Sequence, residues 1–344
     1  MVPTAVLLII LSALLKTVDQ FFLIVSAVLF LTAGIAFWVF KRNKGGILMC
    51  IVLFLFCIRC IYIINGPVSD AYALDGMTDR INVTVTASPV RMGDTAYGYC
   101  SVKVNSSGQE LVQNGGKIRL FTDNVSGFEI GDVLEADVKL SVFEQEYAVS
   151  HYSEGTYLQA NTVGNVISKG KSKGIYGIAG TIRTYVREHV KNGCGNYHIL
   201  LSIITGDLAY ISDNLYDKVI NAGVSHVLVV SGMHLVLLVG GLERILSIFI
   251  KRDFIKEIFV LLFVLMMSVV CGMGMSILRA AVIYVFKAVY RLISRRENSI
   301  HSLSLAVVLV VFVHPYAYFS VSFGLSYAAT LGILVLSGKR NYWL

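Results

Sequence analysis

The chain has 344 residues, of which 56% are hydrophobic and only 15% are charged, and its mean hydropathy is +0.70. Apolar runs of about 17 to 25 residues, the length that a membrane span requires, recur along the sequence and exclude an ordinary soluble protein. The formal net charge of +7 does not by itself indicate a nucleic-acid partner, because the cytoplasmic loops of membrane proteins collect Lys and Arg whatever they bind.

The N-terminal part of the chain is predicted to form membrane helices. Apolar runs cover residues 2–15, 20–40 and 46–64. The first run lacks the basic start and the small-residue cleavage site of a signal peptide, so it is interpreted as a helix. Residues 1–65 are therefore predicted to be a set of transmembrane helices.

Residues 66–168 change in character and predict a β domain. Five stretches alternate apolar and polar side chains between clusters of Gly, Asp and Asn, at residues 81–88, 97–104, 117–122, 133–141 and 157–163. Five short strands in about 100 residues suit a small barrel such as the OB fold. The prediction is an OB-like barrel inserted between membrane helices.

The predicted barrel is acidic, with 13 Asp and Glu against 6 Lys and Arg between residues 66 and 165. A polyanion therefore has to use a narrow strip of basic residues, with aromatic neighbours on which bases can stack. The candidates are Lys103, Lys117 and Arg119, with Tyr97, Tyr99 and Phe121. The alternative is a barrel that serves only as an assembly or spacer module.

A basic amphipathic helix is predicted within residues 169–195. An apolar stripe runs along it from Ile175 to Tyr185. Its recurring cations are Arg183, Arg187 and Lys191. Such a helix either lies in the membrane interface with its cations at the lipid headgroups, or contacts DNA directly.

Residues 196–344 return to apolar runs that predict further membrane spans. These lie at about residues 225–249, 257–275, 280–290, 300–318 and 319–337. Clusters of Lys and Arg follow alternate crossings, which puts all of them on the cytoplasmic side and the barrel outside. The predicted fold class is a mainly α polytopic membrane protein with an inserted external all-β, OB-like domain.

One predicted span, residues 223–239, carries polar side chains that are costly in hydrocarbon and therefore indicate function. His226, Ser231 and His234 share one face of a continuous helix. They line an aqueous path, where the histidines titrate near neutrality, or they donate to backbone carbonyls between helices. A serine hydrolase dyad of Ser231 and His234 is disfavoured, because the base normally approaches from another segment.

Four stretches carry a resemblance to a known family. They are Thr205-Gly206-Asp207, GVSHVLVVSGMH at 223–234, SILRA at 276–280 and SFGLSYAA at 322–329. In this order they resemble the ComEC/Rec2 family of competence proteins. The resemblance implies a multi-pass channel in the cell membrane that passes single-stranded DNA inward during natural transformation. It also implies a DNA receptor and a cytoplasmic translocase as partners, besides the lipid bilayer.

Two more residues are candidates for the translocation path that the resemblance implies. Arg279 can contact a phosphate through two parallel hydrogen bonds. Its alternative role is an ion pair with Asp207, which would repel DNA if it were charged and exposed. Asp207 is therefore interpreted as structural or as that partner.

Many members of the family continue into a metallo-β-lactamase-like domain to which nuclease activity is attributed. None of the seven histidines of this sequence forms an H-x-H pair, so no metal site, catalytic residue or cofactor is predicted. We expect no enzymatic activity from this polypeptide alone and a separate nuclease domain or protein as a partner. A transporter or scaffold for another polymer is the alternative function.

Overall fold

The computed structural model describes most of the chain. The described residues are 2–14, 20–36, 44–91, 97–125, 127–193, 197–205, 211, 218–219, 221–222, 232–272, 275–292 and 299–340. They form two compact units. The first unit comprises Met1–Ala73, Val142–Tyr157 and Val289–Leu344, and the second comprises Leu74–Ser141 and Leu158–Ala288.

Twelve α-helices are present in the described residues. In chain order they are α1 (Val2–Leu14), α2 (Gln20–Ala36), α3 (Lys44–Ile63), α4 (Ser69–Ala73), α5 (Gln145–Ser153), α6 (Ile175–Gly193), α7 (Tyr197–Thr205), α8 (Gly232–Phe249), α9 (Asp253–Val270), α10 (Met275–Leu292), α11 (Ser299–Val313) and α12 (Val321–Arg340). A π-helical turn at Ile64–Val68 joins α3 to α4, and a 3-10 helix at Pro315–Phe319 precedes α12.

Seven strands form one sheet in the second unit. They are β1 (Thr78–Val85), β2 (Val90–Arg91), β3 (Gly98–Ser107), β4 (Lys117–Thr122), β5 (Asp132–Ser141), β6 (Gln159–Thr162) and β7 (Ile167–Lys171). Five of them close a barrel in the order β1-β3-β4-β6-β5, because β5 also pairs with β1. The β4–β6 pair is parallel and the other pairs in this circuit are antiparallel.

The prediction of a small five-stranded barrel is confirmed, and the barrel is compatible with an OB fold. Each predicted stretch overlaps one strand of the circuit, and the prediction for β4, residues 117–122, matches its bounds. The alternation that predicted β5 is present as buried Leu134, Ala136, Val138 and Leu140. These side chains fill the barrel interior, since successive residues of a strand point to opposite faces.

Strand β7 was missed because its sequence, Ile-Ser-Lys-Gly-Lys, has no apolar alternation and contains Gly170. It forms by antiparallel pairing with β5, from Asp132 opposite Lys171 to Glu135 opposite Ile167. The start of the predicted basic segment is therefore part of the barrel sheet.

The helices of the second unit have their own apolar core. It joins α8, α9 and α10 through Leu235, Val239, Val260, Val264, Met267, Ile277 and Ala281. A second cluster, of Ile130, Ala179 and Val270, joins the barrel, α6 and α9. The barrel and these helices are thus packed together within one unit.

The prediction of a polytopic membrane protein was wrong for the described residues. Among them one continuous helix, Lys44–Ala73, is long and apolar enough to cross a membrane. It comprises α3, the π-helical turn and α4. The shorter apolar helices are Pro3–Ala13, Phe22–Ile35, Ser299–Val313 and Val321–Leu334. A span of the hydrocarbon core needs about 20 residues of helix, so these do not meet the same criterion.

The physical reason for this error is that hydropathy averages over helix breaks. The predicted span 300–318 runs across Pro315, which cannot continue an α-helix, and α11 accordingly ends at Val313. The predicted span 257–275 omits the charged start of α9, which begins at Asp253. The first part of the predicted span 225–249 lies outside the described residues, which resume at Gly232.

Candidate nucleic-acid interface

The paired strands β3 and β4 bring the predicted basic and aromatic residues of the barrel onto one outer face. The facing pairs are Tyr99 and Phe121, Ser101 and Arg119, and Lys103 and Lys117. The residues between them, including Cys100, Val102, Ile118 and Leu120, are buried. The three pairs therefore point away from the barrel interior, and we call their outward surface the β3–β4 face.

Aromatic rings lie in contact at one end of the β3–β4 face. The ring centroids of Tyr99 and Phe121 are 5.4 Å apart, and those of Tyr97 and Phe121 are 6.3 Å apart with an angle of 29° between the rings. The guanidinium carbon of Arg119 lies 4.4 Å from the Tyr99 ring centroid. This distance is suited to a cation–π contact, which orients the Tyr99 ring.

Exposure separates the roles of these residues. Arg119 is only 4% exposed, whereas Tyr97 is 38% exposed. Tyr99 and Phe121 are half-buried. The Arg119 guanidinium group is therefore buried against the Tyr99 ring, and the rings present the surface on which a base can stack.

The other end of the β3–β4 face carries two exposed lysines. Lys103 and Lys117 are directly opposite each other in the antiparallel register. Like charges in that arrangement repel each other. A polyanion bound across both lysines removes this repulsion, so the pair favours an anionic ligand.

Two acidic residues of the barrel, on segments other than β3 and β4, contact cations. Glu135 on β5 accepts a hydrogen bond from Arg80, at 2.9 Å from Nε to Oε1, and is also paired with Lys169. Glu129 lies 2.8 Å from Lys171 Nζ. Strands β3 and β4 contain neither Asp nor Glu. The two strands of the β3–β4 face therefore carry no negative side chain of their own.

The cations of α6 have contacts that sequence reasoning did not predict. Arg183 is 7% exposed, and its Nη2 donates to Ser88 Oγ at 2.8 Å and to the Thr205 carbonyl oxygen at 2.7 Å. Arg187 is paired with Glu129. Lys191 is exposed in the last turn of the helix. Ser88 lies 95 residues from Arg183, and Glu129 lies 58 residues from Arg187, so no local pattern predicts the contacts.

Glu129 makes the contact between α6 and the barrel dependent on pH. Burial raises the pKa of Glu129, but the hydrogen bonds and charges of Lys171 and Arg187 outweigh burial and hold it below its usual range. A carboxyl group with a lowered folded-state pKa stabilises the fold above its unfolded pKa, and this contribution is lost as the pH falls through the folded value.

We therefore expect Glu129→Gln to lower the free energy of unfolding by about 1 kcal/mol near pH 7. The difference from the unsubstituted protein should shrink as the pH falls below about 4.3, the usual pKa of a Glu side chain, and should be lost below the lowered folded-state pKa of Glu129. Thermal unfolding across pH 3 to 8 measures it. Asp137→Asn, at a side chain that is 66% exposed, is the control and should change stability less. A Glu129→Gln effect that persists undiminished at pH 3 would contradict this assignment.

The candidates for the translocation path are only partly described. Asp207, His226 and Ser231 lie outside the described residues. His234 on α8 and Arg279 on α10 are both buried, Arg279 to 1% exposure. The predicted shared face of His226, Ser231 and His234 and the predicted ion pair of Arg279 with Asp207 stay predictions. In the part of the chain that the structure describes, no group of three His, Cys, Asp or Glu side chains is placed to hold a metal ion.

The second half of the chain is similar in sequence to known proteins. Residues 203–343 match the family described as Competence protein. Over 142 residues the chain is 28% identical to ComE operon protein 3 of Bacillus subtilis (strain 168), an alignment that covers 40% of this chain and 18% of that protein. No solved structure matches the chain. The match begins within α7, so the barrel lies outside it.

Proposed function

We propose, from the premise that residues 203–343 are those of a ComEC/Rec2-family competence protein, that this chain serves the uptake of single-stranded DNA during natural transformation. In this proposal the barrel binds the incoming strand on the β3–β4 face, and the family region belongs to the channel through which the strand passes. The aligned region spans 18% of the Bacillus subtilis relative, so the activity of the whole relative is carried over here only as part of this proposal.

The observation that carries the proposal is the composition of the β3–β4 face. Three contacting rings, Tyr97, Tyr99 and Phe121, lie on the same surface as the exposed Lys103 and Lys117. Stacking of a base on an aromatic side chain contributes about 1–3 kcal/mol and does not depend strongly on sequence. Lysines beside the rings contact phosphates. Duplex DNA keeps its bases stacked inside, so this surface favours single strands.

The cell membrane is the proposed location. The helix Lys44–Ala73 is 30 residues long and has the length and composition of a membrane span. We propose that it anchors the chain, with the barrel on the extracytoplasmic side, where DNA arrives. A DNA receptor, a cytoplasmic translocase and a separate nuclease are the proposed partners.

We propose that the polar candidate residues of the family region line the translocation path. His234 and Arg279 are buried among the apolar helices of the second unit. Burial of an ionisable side chain costs free energy, and this supports a functional role for both residues. His226, Ser231 and Asp207 join them in the proposal through the family resemblance. Lys191, exposed at the end of α6, is the α6 cation proposed to meet DNA directly.

Salt dependence tests the role of the lysines on the β3–β4 face. We expect Lys103→Ala and Lys117→Ala each to lower the slope of log Kobs against log salt concentration by about 0.7 for a single strand, because each removes one phosphate contact. Fluorescence anisotropy of a labelled thymidine oligonucleotide with the purified full chain measures the slope. Lys139→Ala, which removes an exposed lysine from β5, is the matched control and should leave the slope unchanged. Equal slopes for all three variants would remove the β3–β4 face from the proposal.

Deletion of the gene tests the function as a whole. Transformation should be abolished while binding of DNA to the cell surface persists, because the proposed step follows capture. Normal transformation in the deletion strain would refute a role in uptake. Equally strong binding of an unrelated polyanion, together with normal transformation, would favour a transporter or scaffold for another polymer.

A further inference from the structure

The C-terminal end of α7 is held by side chains from two other segments. The last carbonyl groups of a helix lack intrahelical partners and are stabilised by cations and other donors. At α7, Arg183 Nη2 donates to the Thr205 carbonyl oxygen at 2.7 Å, and the Cys271 thiol lies 3.6 Å from the Ile204 carbonyl oxygen. The family match begins at residue 203, so these contacts lie at the start of the family region.

The same guanidinium group also reaches the barrel. Arg183 Nη2 donates to Ser88 Oγ at 2.8 Å, and Ser88 lies in the loop between β1 and β2. One buried side chain of α6 thus joins a barrel loop to the end of α7. Arg187, one turn further along α6, is paired with Glu129 in the loop before β5. Both arginines therefore face the barrel.

Close backbone packing surrounds Arg183. A Cβ atom at Gly180 would lie 2.2 Å from the Ile130 carbonyl oxygen, and one at Gly272 would lie 3.1 Å from Ala87 Cα. Ile130, Ala179 and Val270 are buried against one another at the same place. We call this contact of the barrel loops with α6, α7 and the end of α9 the barrel junction. Its contacts are too close for the barrel to turn against these helices without breaking them.

We propose that Arg183 is a positioning residue of DNA uptake, which fixes α7, where the family region starts, to the barrel so that the barrel and α7 act as one rigid body. The inference rests on the proposed function. Because the barrel junction holds the β3–β4 face at a constant place relative to α7, a strand released from that face enters the family region at a defined point. Arg183 itself does not contact the DNA.

The experiment compares Arg183→Ala with Lys173→Ala, which removes an exposed positive charge just before α6. Each variant replaces the chromosomal copy, and transformation frequency and protein level are measured. Binding of a thymidine oligonucleotide to the purified full chain is measured in parallel. We expect Arg183→Ala to lower transformation at least tenfold, with oligonucleotide affinity within twofold of the unsubstituted protein, and Lys173→Ala to change neither.

A disulfide across the barrel junction tests whether a covalent link can replace the contacts of Arg183. A Cβ atom at Gly272 would lie 3.3 Å from Ala87 Cβ, close to the separation that a disulfide needs. Ala87→Cys with Gly272→Cys, in a Cys271→Ser background that prevents mispairing, should restore transformation to Arg183→Ala when oxidised and not when reduced. When Arg183 is present, the oxidised and reduced forms should transform equally well; a side chain at Gly272, which has a φ of +78°, strains both forms alike, so this comparison isolates the effect of the disulfide.

Three outcomes would overturn the inference. They are normal transformation by Arg183→Ala, loss of oligonucleotide affinity in the same variant, and loss of transformation when the disulfide locks the otherwise unsubstituted protein. The last would show that the barrel has to move. Failure of the unsubstituted chain to bind the oligonucleotide, or normal transformation in the deletion strain, would instead refute the proposed function, so the two failures are distinguishable.

Discussion

Replacing Tyr99 and Phe121 together by alanine is expected to weaken binding of single-stranded DNA by at least about 30-fold. Each ring that stacks on a base contributes about 1 kcal/mol or more, and a factor of ten in affinity corresponds to about 1.4 kcal/mol. The two rings are in contact, and Tyr99 also lies against the Arg119 guanidinium group, so their removal dismantles the aromatic part of the β3–β4 face. Anisotropy with a labelled thymidine oligonucleotide measures the loss.

Two variants control this measurement. Tyr99→Phe keeps the ring and its contact with Arg119, and should bind within about twofold of the unsubstituted chain. Tyr147→Ala removes an exposed ring from α5, an element that is not part of the β3–β4 face, and should have no effect. If the double alanine variant binds as well as Tyr147→Ala while remaining folded, base stacking on this face is excluded.

A large loss of stability is expected from Gly131→Ala. Gly131 has a φ of +89°, and a Cβ atom there would lie 2.4 Å from the Tyr176 carbonyl oxygen, which is backbone and cannot turn aside. Its own NH donates to the Val85 carbonyl at 2.9 Å, and its carbonyl accepts from the Ser172 NH at 2.7 Å. We expect a loss of about 3 kcal/mol or more, since the barrel junction has to open to admit one methyl group.

Gly170→Ala is the matched control for this prediction. Gly170 has a φ of +95°, and nothing lies within 4 Å of a Cβ atom placed there. Both substitutions carry the backbone strain of alanine in the left-handed region, about 1 kcal/mol, and only Gly131→Ala adds the clash. Thermal or denaturant unfolding of the purified chain gives the difference. Equal losses in the two variants would show that the barrel does not pack against α6 as described.

Local periodicity was enough to predict the barrel and the β3–β4 face. Alternation over 117–122 placed Lys117, Arg119 and Phe121 on one side of β4, and the same period in β3 placed Tyr99 and Lys103 on one side. A strand repeats every two residues, so the outward set follows from the sequence of each strand alone. Register brought the two sets together, and register also depended on burying the intervening apolar residues.

Local sequence patterns did not predict which basic side chains are exposed. Arg119, Arg183 and Arg187 had the same interpretation in the sequence, as basic residues available to DNA. In the fold the Arg119 guanidinium group lies against the Tyr99 ring. Arg183 donates to Ser88 and Thr205, and Arg187 is paired with Glu129. A guanidinium group is used equally for phosphate, carbonyl and carboxylate. Which of these it meets depends on segments far away in the chain.

The predicted and observed helix lengths also separate what the sequence determines from what the tertiary structure decides. The sequence alone determined that the chain is rich in apolar helices, that a barrel interrupts them, and that stretches similar to those of competence proteins follow it, because composition, strand period and short motifs are local properties. The tertiary structure alone decided where helices end, as at Val313 before Pro315, and which cations the barrel junction uses. Those outcomes depend on backbone hydrogen bonding and on partners brought together by folding, to which a one-dimensional average of hydropathy or charge is insensitive.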